Sequence, residues 1–193
     1  MAKQSASKWS TRDLMVTIVI GLAFGVLLIP VTYAYAALLS LGILARSLLG
    51  GVYYLPAAFA AYVIRKPGSI LLVSLVSALV AMPFTAYGFI VLLIGALTGL
   101  IGELVTWFFT RYRNFALGRL ALAGAVGGLL EFLLILGSLR STSFELGILS
   151  AALLVSALTF GLCAALAKVL ADAVARTGVL ANTALGRTNI EEI

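Results

Sequence analysis

The chain has 193 residues, of which 63% are hydrophobic and 10% are charged, and its mean hydropathy is +1.17. Soluble domains contain about 45–50% apolar and about 25% charged residues, so this composition excludes an ordinary water-soluble domain. The formal net charge of +6 comes from basic residues scattered at the ends of apolar segments. That distribution favours a membrane protein over a nucleic-acid-binding protein.

The composition also excludes several kinds of catalytic and binding site. The chain has no histidine and one cysteine, Cys163, so it lacks Ser/His or Cys/His nucleophile pairs, disulfides within the chain and imidazole-based metal sites. It contains no Gly-x-x-x-x-Gly-Lys-Ser/Thr sequence, so any ATP that drives its activity must be bound by another subunit. We therefore expect no enzymatic activity and no cofactor.

The apolar segments predict an all-α fold, a polytopic bundle of six transmembrane helices in one membrane-embedded domain over residues 1–193. Each crossing needs about 20 residues, which leaves no room for a separate soluble domain. Pro30 is predicted to end the first helix, and residues 33–50 are predicted to lie across the mouth of the bundle. The predicted helices cover residues 13–32, 51–64, 68–83, 88–111, 118–138 and 146–172, and a polar tail covers 173–193.

The basic residues predict how this bundle is oriented. Lys and Arg concentrate in cytoplasmic segments close to the ends of transmembrane helices. With six crossings and both termini cytoplasmic, eleven of the thirteen basic residues lie inside, and only Arg46 and Arg140 lie outside. An odd number of crossings would destroy this asymmetry.

Two acidic residues, Glu103 and Glu131, fall within the predicted apolar helices. An ionised carboxylate there costs about 2.5–3.5 kcal/mol on insertion scales, so each needs a partner or a cavity. Glu103 is the main candidate for binding a substrate; the structural alternative bonds it to the hydroxyl group of Thr106, Thr98 or Ser77. Glu131 is a second candidate, and its structural alternative is neutralisation by Arg46 or Arg140.

Aromatic residues are concentrated in the outward half of the predicted bundle. They fit an interfacial belt, the usual place of Tyr rings in a membrane, or a stacking site for a flat cationic or protonatable heterocycle. Trp107, four residues after Glu103, is either a packed side chain or the floor of such a cavity. The candidates for substrate contact, in addition to the two acids, are Tyr53, Tyr54, Phe84, Tyr87 and Trp107.

Glycines recur at four-residue spacing in several predicted helices, which allows close helix packing in lipid. Gly21 and Gly25 in the first helix have two readings. They pack within this bundle, or they form a surface for a second membrane subunit, and the first helix is our candidate for that surface.

Three sequence segments resemble the YkoE family of substrate-binding membrane subunits, the S components of energy-coupling-factor transporters. They are Ala61-Tyr62-Val63-Ile64-Arg65-Lys66-Pro67-Gly68, Gly99-Leu100-Ile101-Gly102-Glu103, and Thr177-Gly178-Val179-Leu180 with Ala184-Leu185-Gly186. The resemblance covers nearly the whole chain. The middle of the predicted helix over residues 118–138 and residues 30–50 match less clearly.

The resemblance implies a six-helix subunit of the bacterial cell membrane that captures thiamine or its hydroxymethylpyrimidine precursor from outside. It also implies two kinds of partner, a transmembrane coupling protein and two cytoplasmic ATPase subunits. Glu103 would then hold the aminopyrimidine edge or offset the thiazolium charge, and nearby rings would stack on the heterocycles.

Two functions compete with this reading of the residues. A proton-coupled secondary transporter of a small cationic heterocycle would use Glu103 and Glu131 as a relay, although such transporters usually have broken helices and internal repeats. A structural or assembly protein of the membrane would use both acids only in packing.

Overall fold

The computed structural model describes residues 9–38, 41–85, 88–138, 145–178, 180 and 183–185. These residues form six α-helices and a short 3-10 turn, and no strand occurs among them. The all-helical architecture predicted from the composition is confirmed. The helices are α1 (Thr11–Leu38), α2 (Ile43–Ile64), α3 (Ser69–Ala81), α4 (Ile90–Thr110), α5 (Leu117–Ser138) and α6 (Leu146–Arg176), and the 3-10 turn after α3 is Met82–Phe84.

Five of these helices are long and apolar enough to cross a membrane; α3 with its 3-10 turn is the shorter sixth element. At about 1.5 Å per residue, α1 extends about 42 Å and α6 about 46 Å, longer than the roughly 30 Å of a hydrocarbon core. Most large side chains on the outer surface are apolar, including Val19, Leu104 and Leu158, each more than 60% exposed. A surface of this kind suits lipid rather than water.

The segment predicted to lie across the mouth of the bundle is largely helical instead. Helix α1 continues through Pro30 to Leu38, and α2 begins at Ile43 rather than at residue 51. Proline is tolerated inside transmembrane helices because local adjustments and neighbouring groups satisfy the freed carbonyl. Gly42, directly before α2, has a φ of 96°, a left-handed conformation that favours glycine.

The chain reverses at the other end of the bundle through residues in left-handed conformations. Arg65 (φ 52°) follows the last residue of α2, Gly68 (φ 90°) precedes α3, and Arg111 (φ 47°) follows the last residue of α4. We call this the basic end, because eight of the nine described basic residues lie in its half of the bundle: Arg12, Arg65, Lys66, Arg111, Arg113, Arg119, Lys168 and Arg176. Arg46 lies near the opposite end.

Helix α2 is the central element. It packs most extensively against α6, while α1 packs against α3, and α5 lies between α4 and α6. The second half of α2, from Pro56 to Ile64, is entirely buried and forms the main core with Ile70, Leu120 and Ala167. The basic-end half of the bundle is therefore closely packed.

The described part of the tail adds to this core. Helix α6 continues four residues beyond its predicted end, to Arg176, and the side chains of Leu180 and Leu185 are then buried in the main core. The described tail residues therefore close the basic end of the bundle.

Glycines bring the helices into backbone contact. A Cβ atom on Gly51 of α2 would lie 2.5 Å from the carbonyl carbon of Thr159 in α6, and one on Gly124 of α5 would lie 2.6 Å from the Phe160 carbonyl oxygen. Such close approach stabilises helix association in lipid through van der Waals contact.

Gly21 and Gly25 correct the expected partner surface on α1. Both are buried, and Cβ atoms on them would lie 2.7 Å from the Cβ atoms of Val76 and Val80 in α3. The two residues therefore belong to the packing between α1 and α3, the other reading of the sequence. The lipid-facing side of α1 carries large side chains instead.

Candidate functional site

The half of the bundle opposite the basic end encloses a cavity of about 660 Å³. It lies between the last turns of α1, the first half of α2, the second half of α3, the first half of α4, the last turns of α5 and the first half of α6. Ligand pockets for small molecules typically measure about 300–1,000 Å³, so the cavity has a suitable size for a small organic molecule. We call this half the cavity end.

The lining is mainly apolar, with a few polar groups. Small side chains line it from two helices, Ser47 and Gly50 from α2 and Ser74 and Ser77 from α3. Several hydroxyl groups donate to backbone carbonyls, such as Ser47 to Ile43 and Ser77 to Gly21, each at 3.0 Å. Among the described residues, two charged side chains line the cavity: Glu131 and Arg46.

Glu131 lies in α5 with Phe132 beside it in the cavity wall. No hydrogen bond or ion pair within the described chain engages the Glu131 carboxylate; the described ion pairs are Lys66–Asp13 and Lys168–Asp172. Neutralisation by Arg46 is therefore not observed, and Arg140 lies outside the described residues. A carboxylate in this position can accept a hydrogen bond or form an ion pair with a group inside the cavity.

Aromatic side chains form part of the same wall. The Tyr53 hydroxyl donates to Thr32 Oγ1 at 3.2 Å, and its ring makes an edge contact with Tyr35. Phe160 of α6 also lines the cavity. Tyr54 is buried behind Phe160, with ring centroids 5.7 Å apart, and its hydroxyl is hydrogen-bonded to Thr106 at 3.0 Å. Tyr53 thus lines the cavity, whereas Tyr54 supports its wall.

Three other predicted contacts are not among the described lining residues. Phe84 is 47% exposed on the 3-10 turn, and its neighbour Thr85 lines the cavity instead. Trp107 is 56% exposed on the outside of α4, so it does not form the floor of the cavity. Tyr87 lies outside the described residues.

Glu103 lies in the basic-end half of α4, away from the cavity lining. Its Oε1 atom accepts a hydrogen bond from the Gly68 backbone N–H at 2.6 Å, and Oε2 accepts one from the Ile70 N–H at 3.2 Å. The Tyr112 hydroxyl donates to the same carboxylate. Burial, with the neighbouring Glu103 charge, raises the pKa of Tyr112, so this phenol stays protonated and remains a donor.

These contacts correct the expectation that Glu103 lines the substrate site. The first amides of a helix have no partner within the helix and favour negative charge, so the carboxylate satisfies the beginning of α3. The hydroxyl groups of Thr106, Thr98 and Ser77, the structural alternative in the sequence, are not its partners among the described residues: they bond to Tyr54, Gly95 and Gly21, respectively.

Sequence reasoning missed most of the cavity wall, including Thr32, Ser47, Phe132 and Phe160. A usable signal was present in α2, where Ile43, Arg46, Ser47, Gly50 and Tyr53 follow the i, i+3, i+4, i+7 spacing of one helix face. It was obscured by the expectation that residues 33–50 lie outside the bundle.

Comparison with known proteins identifies the family. Residues 12–130 match the family described as "ABC-type cobalt transport system, permease component". The chain is 30% identical over 182 residues to "Putative HMP/thiamine permease protein YkoE" of Bacillus subtilis (strain 168), an alignment that covers 93% of this chain and 91% of the relative. A solved structure, "Crystal structure of an S-component of ECF transporter", matches with a TM-score of 0.89 and 29% identity, covering 96% of this chain and 95% of that one.

Family, fold and apolar helices agree on a multi-pass protein of the cell membrane that acts in transport. The family and the matching fold are those of transporter subunits rather than enzymes. The chain belongs to the YkoE family of S components, the substrate-binding membrane subunits of energy-coupling-factor transporters.

Proposed function

We propose that this S component captures thiamine or its hydroxymethylpyrimidine precursor from outside the cell and binds it in the cavity between the helices. The relative of Bacillus subtilis carries "HMP/thiamine permease" in its name, and it aligns with nearly all of this chain. The observation that carries the proposal is the Glu131 carboxylate, which has no partner among the described residues and lies in an otherwise mainly apolar cavity.

The chemistry of thiamine suits this cavity. The thiazolium ring is permanently positive, and the aminopyrimidine ring is flat and carries hydrogen-bond donors. Glu131 offsets the positive charge or accepts hydrogen bonds from the amino group, and charged hydrogen bonds of this kind are the stronger ones. Tyr53, Phe132 and Phe160 supply aromatic surface for the rings.

The end of the bundle at which the cavity lies determines the direction of capture. Eight of the nine described basic residues lie in the basic-end half, which we assign to the cytoplasm, with both termini. The cavity end then faces outwards. Transport into the cell requires the partners of such systems, a transmembrane coupling protein and two cytoplasmic ATPase subunits, because this sequence carries no ATP-binding motif of the P-loop type.

An organic ligand fits the site better than a bare cobalt ion, although cobalt appears in the description of the matching family. The described residues contain no group of three or more His, Cys, Asp or Glu side chains that could hold a metal ion. One carboxylate with aromatic rings is better suited to an organic cation.

The contacts of Glu103 argue against a proton relay between the two buried acids. Glu103 is engaged by two backbone amides and a phenol, and it is not in the described lining of the cavity that Glu131 faces. A proton-coupled secondary transporter therefore has less support than a capture subunit. It predicts uptake that follows an imposed pH gradient without ATPase partners.

Glu131→Gln tests the proposed function. The substitution keeps the shape of the side chain and removes its charge, so we expect thiamine binding to weaken by about 1.5–3 kcal/mol. Isothermal titration calorimetry of the purified protein measures this difference.

Glu145→Gln is the matched control, because Glu145 also lies at the cavity end but is exposed and does not line the cavity. The affinity of the Glu145→Gln protein for thiamine should equal that of the unaltered protein. Equal affinities for all three proteins would contradict the role of Glu131. Absence of measurable binding of thiamine and of hydroxymethylpyrimidine to the unaltered protein would contradict the proposed function itself.

A further inference from the structure

Among the described residues, Arg46 is the second charged side chain of the cavity wall, and its contacts there leave its positive charge unmatched. It is half-buried in the first turn of α2. Its Nε and Nη2 atoms donate to the Tyr35 hydroxyl at 3.2 and 3.1 Å, and its guanidinium lies 5.3 Å from the Tyr35 ring centroid. A phenol is a neutral acceptor, so it orients the guanidinium without neutralising it.

No acidic side chain of the described chain pairs with Arg46. The ion pairs among the described residues involve Asp13 and Asp172, both in the basic-end half. A guanidinium has five N–H donors in a planar arrangement that matches phosphate and carboxylate groups. Contact with one phenol oxygen therefore leaves donors for an anionic ligand group.

Arg46 and Glu131 lie at different depths in the same cavity. Arg46 is about one turn from the cavity end of α2, and Glu131 is about two turns from the cavity end of α5, which is about 5 and 10 Å at the rise of an α-helix. The two side chains are farther apart than an ion pair. The cavity thus presents a negative group deeper in the bundle and a positive group nearer the cavity end.

From this arrangement we propose that the cavity binds phosphorylated forms of its ligand, with the heterocycle at Glu131 and the phosphate at Arg46. This inference rests on the proposed function for the identity of the heterocycle. Arg46 then determines specificity: it distinguishes a ligand with an anionic arm from the same ligand without one. A purely structural role, joining α1 to α2 through Tyr35, would not produce such a distinction.

The test compares thiamine with thiamine monophosphate, which share the same rings and differ in the phosphate. We expect the unaltered protein to bind the monophosphate at least as tightly as thiamine. Arg46→Gln should weaken binding of the monophosphate by roughly ten- to a hundredfold, the equivalent of one lost charged hydrogen-bonded contact, and change thiamine binding less than about threefold. Arg46→Lys, which keeps the charge without the planar group, should give an intermediate loss.

Arg113→Gln serves as the control for net charge, because Arg113 is exposed at the basic end. It should leave the affinities for both ligands unchanged. Retained thiamine binding by the Arg46 variants demonstrates that they fold.

The results separate this inference from the proposed function. If the unaltered protein binds thiamine but binds the monophosphate more than tenfold more weakly, the phosphate site is refuted while the capture function stands. The same holds if Arg46→Gln weakens both ligands equally or neither of them. The proposed function is refuted if the unaltered protein binds none of the three compounds: thiamine, thiamine monophosphate and hydroxymethylpyrimidine.

Discussion

Glu103 and Glu131 illustrate how two carboxylates in apolar helices are accommodated by different environments. Glu103 accepts hydrogen bonds from Gly68, Ile70 and Tyr112, so its charge is balanced by the beginning of α3. Glu131 faces a cavity without a described partner. The first carboxylate stabilises the fold, and the second is the group that we assign to the ligand.

Replacing Glu103 should affect stability and leave ligand binding unchanged. Glu103→Gln keeps one acceptor oxygen but removes the charge that interacts with the start of α3, and we expect a loss of about 1–3 kcal/mol in the free energy of unfolding. Thermal unfolding in detergent measures the loss. Tyr112→Phe, which removes one donor to the same carboxylate, should destabilise less.

Calorimetry with thiamine completes the comparison for Glu103. The affinity of the folded Glu103→Gln protein should match that of the unaltered protein, in contrast to Glu131→Gln. A selective loss of thiamine binding with unchanged stability would return Glu103 to the substrate site.

For individual residues, the sequence identifies the unusual side chains but does not show which of them lines the cavity. The scarcity of acids in apolar helices was enough to select Glu103 and Glu131. It did not reveal that Glu103 reaches Gly68, 35 positions earlier in the chain, because such a contact depends on the packing of α3 against α4. Tyr53 and Tyr54 are adjacent, yet one lines the cavity and the other supports its wall, since neighbours on a helix point about 100° apart.

The contact between α2 and α6 determines the shape of the cavity. Gly51 lies against the backbone of Thr159, and the Thr159 hydroxyl donates to the Ser47 carbonyl at 3.0 Å. Ser47, Gly50 and Phe160, next to these contacts, line the cavity. A change in the distance between the two helices therefore displaces the cavity wall.

Gly51→Ala tests this connection. The new methyl group would lie 2.5 Å from the carbonyl carbon and oxygen of Thr159, so α2 and α6 must separate. We expect a loss of about 1–3 kcal/mol in stability, typical of overpacking, together with weaker thiamine binding. Thermal unfolding and calorimetry measure the two effects.

Gly118→Ala provides the comparison. Apart from the nearby backbone of α5 itself, no atom lies within 4 Å of a Cβ at Gly118. It should stabilise slightly, by up to about 1 kcal/mol, through helix propensity. Equal behaviour of the two variants would mean that the α2–α6 contact tolerates separation and does not set the cavity wall.

The helices themselves were largely predictable, and their ends were not. Hydrophobic length alone located α4 and α5 to within two residues at each end. Residues 33–50 were wrongly predicted to lie across the mouth of the bundle because Pro30 was treated as a helix end. The rule that proline ends a helix holds better in water than inside a membrane. Helix α2 begins after Gly42, and hydropathy does not reveal the left-handed backbone conformation of this glycine.

The whole molecule is divided along its length into a packed half and an open half. Buried apolar side chains concentrate towards the basic end, where described tail residues Leu180 and Leu185 complete the core. The other half contains the cavity. This division suits a subunit that admits a ligand from one side and is closed on the other. Hydropathy predicted the number of helices, and the basic residues predicted that the two ends of the bundle differ in charge. The position of the cavity could not be predicted, because it depends on how the helices pack.

The orientation of this asymmetry in the cell membrane is testable by labelling with a membrane-impermeant maleimide. In a Cys163→Ala background, Glu145→Cys introduces a thiol at the cavity end and Arg113→Cys one at the basic end; both positions are exposed. Because basic segments remain cytoplasmic, we expect Glu145→Cys to be labelled in intact cells and Arg113→Cys only after permeabilisation. The reverse pattern would make the cavity open to the cytoplasm, and capture from outside would then be impossible in this conformation.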